Sequence, residues 1–210
     1  MSLSYEQMVA QKKQYLKGAT ATQKKAINYF VPETGCIGLF TGVKDEDYDA
    51  IVDELVKSSN SAQKAIQKIG IDESELQEIA PVTLFGYEPS DFSKVGRDHI
   101  TRTNLYSITH LYFSATQVYM YQLVINTMKN EKKERTEEYF YRDITNFSTL
   151  AETIEALELK GCKGEPVRVS ADIQRFALVV PGDKFSCSTT GDIDDQIRAM
   201  KNKLREKKNA

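Results

Sequence analysis

The chain of 210 residues is predicted to be an α+β protein. A helical N-terminal region over residues 1–90 is expected to precede a bent antiparallel sheet of about seven strands over residues 91–210, closed by a C-terminal amphipathic helix. Three observations predict this. As far as Pro81, apolar residues recur at helical spacing between Gly and Pro punctuation. From Leu105 the period becomes two, and β-branched and aromatic residues dominate, as a pleated surface prefers. The final stretch returns to the helical period, with Ile193, Ile197, Met200 and Leu204 on one face.

Residues 3–30 read as one or two helices with a soft break over Gly18–Thr22, and Pro32 stops them because it has no amide to donate. A glycine-rich apolar connection follows over residues 33–43. A helix from about Asp45 to Lys57 is marked by Asp45, Glu46 and Asp47 in its first turn, where the helix dipole favours acids. Its apolar stripe is Tyr48, Ile51, Val52 and Leu55. A second helix starts near Ser61 and stops at Gly70. A third is expected from Asp72, with Glu75 completing a capping-box-like start and Pro81 ending it. Gly86, Pro89 and Gly96 then suggest a linker.

Leu105–Phe113 and Gln117–Ile125 read as a hairpin across the short turn Ser114–Thr116. Asn126–Lys133 is expected as a polar loop, Glu134–Tyr141 as a third strand and Arg142–Ser148 as a short fourth element. Thr153–Lys160 fits helix or strand, since Ile154, Leu157 and Leu159 do not decide between them, and is taken as strand; Val167–Ala171, Arg175–Val180 and Lys184–Ser188 complete the strands, with turns at Gly161–Pro166 and Pro181–Asp183. The last helix, about Asp192 to Lys208, has acids at its start and Lys203, Arg205, Lys207 and Lys208 at its end, in agreement with the dipole.

A strand meander followed by one amphipathic helix implies a small bent sheet whose open corner the helix covers, the layout of the pleckstrin-homology-like fold. Several runs carry a family resemblance. They are Ile69–Leu76 with Pro81, Gly86 and Tyr87; Phe113–Tyr119; Glu137–Ile144; Phe176–Phe185; and Met200–Lys208. Together they resemble a family of uncharacterised bacterial proteins with a helical N-terminal part and a second half similar to bacterial pleckstrin-homology-like domains. The resemblance spans roughly residues 45–208. It implies the fold and a cytoplasmic setting, and it supplies no catalytic residue.

Composition narrows the function classes. With 28 basic and 30 acidic side chains the net charge is -2, and no segment is basic enough for a general phosphate-binding surface, so nucleic acid is not expected as a partner. Three widely spaced cysteines, Cys36, Cys162 and Cys187, do not form a disulfide framework. No stretch approaches the roughly 20 apolar residues that span a bilayer, and the N-terminus lacks a signal-peptide core, so cytoplasmic residence is expected.

Catalytic chemistry finds little to stand on. His99 and His110 are the only histidines and no Cys-x-x-Cys pair exists, so neither a metal nor another cofactor is expected. Cys36 is the best nucleophile by its glycine-rich setting, yet it has no base beside it in sequence, and a buried apolar cysteine is the simpler reading. The tyrosines Tyr106, Tyr112, Tyr119, Tyr121, Tyr139 and Tyr141 read as cross-strand packing. The chain is therefore read as non-enzymatic, a protein-binding or scaffolding module. The alternative is a small anionic ligand or lipid headgroup held by Lys132, Lys133 and Arg135 in an inter-strand loop. The interleaved Glu131, Glu134, Glu137 and Glu138 oppose that alternative, because membrane attraction needs clustered basic charge at about 1 kcal/mol per residue.

Overall fold

The structure, a computed structural model, describes residues 5–32, 42–71, 79–160, 165–191 and 193–209. Cys36, Cys162, most of the helix expected from Asp72, most of the glycine-rich connection and most of the Gly161–Pro166 turn lie outside the described residues, and the end expected for that helix, before Pro81, is strand instead. The α+β class is as expected. Helices α1 (Tyr5–Leu16), α2 (Ala21–Phe30), α3 (Asp45–Ser59) and α4 (Ser61–Ile69) come first. The strands are β1 (Ile79–Tyr87), β2 (Ser93–Val95), β3 (Thr101–Thr103), β4 (Leu105–Phe113), β5 (Gln117–Asn126), β6 (Lys132–Phe140), β7 (Asn146–Lys160), β8 (Glu165–Val180) and β9 (Asp183–Thr189), followed by helix α5 (Asp194–Asn209).

Local chemistry accounts for the helix ends. The Thr20 hydroxyl accepts the Gln23 amide at 3.2 Å while the Gln23 side chain accepts the Thr20 amide at 2.9 Å, a reciprocal cap for α2. Asn60, at φ 50°, breaks α3 from α4. Gly70, at φ 71°, ends α4, and its amide donates to the Ile66 carbonyl at 2.9 Å.

The strands form two sheets, β1-β4-β5-β6 and β3-β2-β7-β8-β9. Among the described residues, nine strands replace the expected seven or so. The region expected as a linker is β1 and β2. Its alternation is interrupted at Pro81, which falls where the β1–β4 register shifts between Ile79 and Val82, on an edge strand that can spare an amide. The two strands expected over Val167–Val180 are one continuous β8, because Ile173 and Gln174 stay paired to Glu152 and Ala151. Likewise Thr153–Lys160 is the second half of a 15-residue β7. The expected fourth element at Arg142–Ser148 is a turn running into β7, and the polar loop ends early, at β6.

The first sheet is covered on both faces. One face carries Leu84, Leu111, Phe113, Val118 and Met120 into a core shared with Phe147, Phe176, Leu178 and Phe185 of the second sheet. Ile197, Met200 and Leu204 of α5 close that core, and Ile193 packs beside them, as the stripe predicts. The opposite face carries Ile108, Tyr112, Tyr121, Leu123 and Ile125 against Ala65 and Ile71. A third core joins Met8, Ile27, Tyr29, Phe30, Tyr48 and Val52 of α1–α3 to Phe92 and Leu157. The boundary expected near residue 90 thus falls just after β1, which pairs with β4 across it, and cores span both sides.

An ion cluster reinforces the third core. Arg102 of β3 has only 2% of its side chain exposed. Its guanidinium donates to Asp49 of α3 twice at 2.7 Å, and to Asp98 at 2.9 and 2.6 Å. This fork geometry suits arginine and satisfies its donors. The bonds from Arg102 hold the Asp98 carboxyl down at about 2.

The sheets meet where β1 crosses β9. The Thr190 amide donates to the Phe85 carbonyl at 2.6 Å, and the Ser188 amide donates to the Glu88 carboxylate at 2.9 Å. A Cβ added at Gly86 would overlap the Ser188 backbone. Gly86→Ala is therefore expected to cost about 3 kcal/mol of stability, the upper range for overpacking, because backbone cannot move aside as a side chain can. Gly182→Ala, at φ 82° with open space around it, should cost only about 1 kcal/mol. Denaturant unfolding of both variants checks this, and equal losses would contradict the close crossing.

Candidate functional site

Along the core-facing side of the first sheet, strand β5 presents Val118 and Met120, then Gln122 and Val124. The switch from apolar to polar marks where the core ends and a groove of about 480 Å³ begins. Gln122, Val124 and Leu105 line it from the sheet. Glu88, Ser90, Asp91 and Phe92 of the β1–β2 connection line it too, with Lys133 of β6, Glu131, Ser186 of β9, and Gln11 and Tyr15 of α1.

Part of this wall is rigidly committed. The Asn104 amide donates to the Asn126 side-chain oxygen at 3.1 Å, and Asn126 donates to Glu131 at 3.2 Å. Ser90 donates to the Asn104 side-chain oxygen. Glu88 pairs with Arg175 at 3.2 Å, and the guanidinium also reaches Glu152 at 3.3 Å and the Ser186 hydroxyl at 3.2 Å. With both partners nearly buried, breaking one side would strand a charge, so these groups hold the wall in place. Tyr15 stands edge-on to Phe92 at 5.2 Å, and Lys129 lies 4.8 Å over the Tyr15 ring. Among the described residues, the side chains of Gln122, Asp91 and Lys133 have no hydrogen bond or ion pair. Those three polar groups are left to meet a ligand.

The three basic residues singled out in the sequence are divided by the sheet. They belong to strand β6 rather than to a loop. Lys133, paired with Val124, lines the groove. Arg135 shares that face, two residues along, but is bound to Glu137 at 2.8 Å, and its guanidinium lies 5.7 Å over Phe185. Lys132 projects to the opposite face, where Glu134 pairs with Lys68 of α4. Period-two alternation separates neighbours in a strand, and the loop expectation had concealed that. Gln122 was legible as a polar break in an apolar strand face. Asp91, Asn104 and Glu88 carried no signal, because irregular connections bring them together.

The other described candidates lie away from the groove. Cys187 is buried in β9, and burial pushes its thiol up to about 12, so it is no thiolate. His99 is exposed at φ 62° in the β2–β3 turn. Tyr112 and Tyr121 pack under α4, and Tyr139 and Tyr141 line the main core. Lys94 is buried 3.9 Å over the Tyr29 ring, and desolvation lowers its ammonium to about 8. Among the described residues no cluster of His, Cys, Asp and Glu could hold a metal ion, and no helix is long and apolar enough to cross a membrane. No protein-family model, curated protein or solved structure matches the chain.

His110 joins β4 to its neighbours, with one ring nitrogen 2.9 Å from the Thr83 hydroxyl and the other 2.9 Å from the Ser61 hydroxyl of α4. Burial lowers its imidazole to about 4. The unfolded chain therefore binds a proton near pH 6.5 that the folded chain refuses until about pH 4, so stability falls as pH drops through that window. The loss is expected to be on the order of 2–3 kcal/mol. His110→Gln should flatten this part of the curve, measured as urea unfolding from pH 7 to pH 4. An unchanged slope would contradict a buried neutral imidazole.

Proposed function

We propose that the chain is a non-enzymatic protein-binding module that takes a segment of a protein partner into the groove between β5, β6 and the β1–β2 connection. The observation that carries this is the uncommitted Gln122 amide on the groove floor, with Asp91 and Lys133 also free on its walls. A side-chain amide donates and accepts, as a peptide group does, and opposite charges in one groove suit a chain that bears both. The volume falls within the range of ligand pockets. Asp91 and Glu131 outweigh Lys133, and Lys132 faces away, which favours a peptide over a small anion or lipid headgroup.

The supporting frame is read as pleckstrin-homology-like, in a bacterial cytoplasmic protein. A four-stranded meander, the β7–β9 meander and a terminal helix over the shared core support that reading, with the β2–β3 hairpin as an insertion.

Affinity capture from the native cell tests the function. The full chain is expected to retain a partner that the double variant Gln122→Leu, Lys133→Glu loses at least tenfold, while its unfolding midpoint stays unchanged. Equal retention by the variant would overturn the groove as the binding site. Binding to anionic vesicles that disappears on charge reversal at Lys132, Lys133 and Arg135 would favour the headgroup reading instead.

A further inference from the structure

Strand β8 has 16 residues, but β9 covers only part of its outer edge, beginning at the Gln174–Thr189 pair. Among the described residues, no strand pairs with that edge over Glu165–Ile173. Such an edge presents unmet amides and carbonyls to any incoming strand. Natural edges are commonly guarded by charge, and here residues 167–173 read Val-Arg-Val-Ser-Ala-Asp-Ile, with Val167 39% exposed.

We propose that this edge pairs antiparallel with the same edge of a second copy of the chain, about a two-fold axis at Ser170. Both ends of the free stretch define the register. Pro166 has no amide to donate, and Gln174 is already taken by Thr189. The window between them, residues 167–173, is centred on Ser170. An antiparallel pairing about that centre sets Arg168 opposite the partner's Asp172, and does so twice by symmetry. On the other face Val167 meets the partner's Ile173, and Val169 meets the partner's Ala171.

Both faces are therefore self-complementary in the one register that uses the whole window. A slip of one residue would move every side chain to the wrong face. The Arg168 side chain adds a separate indication. One guanidinium nitrogen lies 3.9 Å from the Met8 sulfur, and Nη1 is buried without a hydrogen-bond partner among the described residues. The partner's Asp172 would bring a carboxylate to that arginine.

Sedimentation of the full chain over a range of concentrations tests this together with charge exchange. The wild type should form a dimer that dissociates on dilution. Asp172→Arg alone should weaken it at least tenfold, and the double variant Arg168→Asp, Asp172→Arg should restore it, which a merely misfolded protein would not do. Ser170→Cys places a thiol opposite its own copy, at a separation a disulfide can span. Mild oxidation should cross-link it above the wild-type background, whereas Asp183→Cys, at the start of β9, should stay at background. A monomer at every concentration, a double variant no better than Asp172→Arg alone, or cross-linking equal at both cysteines would overturn the proposal.

Discussion

The close crossing of β1 over β9 is the constraint on which the rest of the molecule depends. The two sheets share one core, and their backbones approach at a corner that has room for no side chain at Gly86. The amide of Thr190 and the carbonyl of Phe85 close the junction, and Glu88 continues it by accepting from Ser188 while it binds Arg175. Glu88 also lines the groove. Along β5 the apolar filling ends at Met120, and polar side chains take over at Gln122. Fold and candidate site are thus two consequences of one geometry.

Much of this was legible in the sequence, and the failures have physical causes. Helix α5 was plain because its stripe, its acids and its basic end agree, and Ile197, Met200 and Leu204 are buried as that pattern requires. Strands β4 and β5 were plain as a hairpin, although the polar positions Ser107, Thr109 and His110 gave no sign that both faces would be covered. Strand β1 was missed because Pro81 and Gly86 look like breakers. One sits at a register shift on an edge and the other at the corner, places where the fold uses their peculiarities. The continuity of β8 through Asp172 was missed because polar residues on an exposed strand resemble a turn when burial is unknown.

The candidate site was the least legible part. Lys132, Lys133 and Arg135 are adjacent in sequence, but a strand sends alternate residues to opposite faces, so one lines the groove, one is tied to Glu137 and one faces away. The groups that do converge come from α1, the β1–β2 connection and the β5–β6 hairpin, three parts far apart in the chain. The helical segment is likewise no separate appendage. Arg102 grips Asp49 of α3, His110 reaches Ser61 of α4, and Met8 of α1 packs with Leu157 of β7 in one core. Tyr15, which lines the groove, depends on that packing for its place.

The central claim is that the β1–β9 crossing makes both sheets and their helices one cooperative unit, and native-state hydrogen exchange tests it most directly. The account predicts that the slowest amides of β4, β5, β8 and α3 exchange through a single opening, with the same free energy and the same dependence on denaturant. Protection of the Thr190 amide, which donates across the crossing, should be lost in that same event. If the β7–β9 strands or the helices opened at a separate, lower free energy while the first sheet stayed protected, the crossing would not be what binds the molecule together.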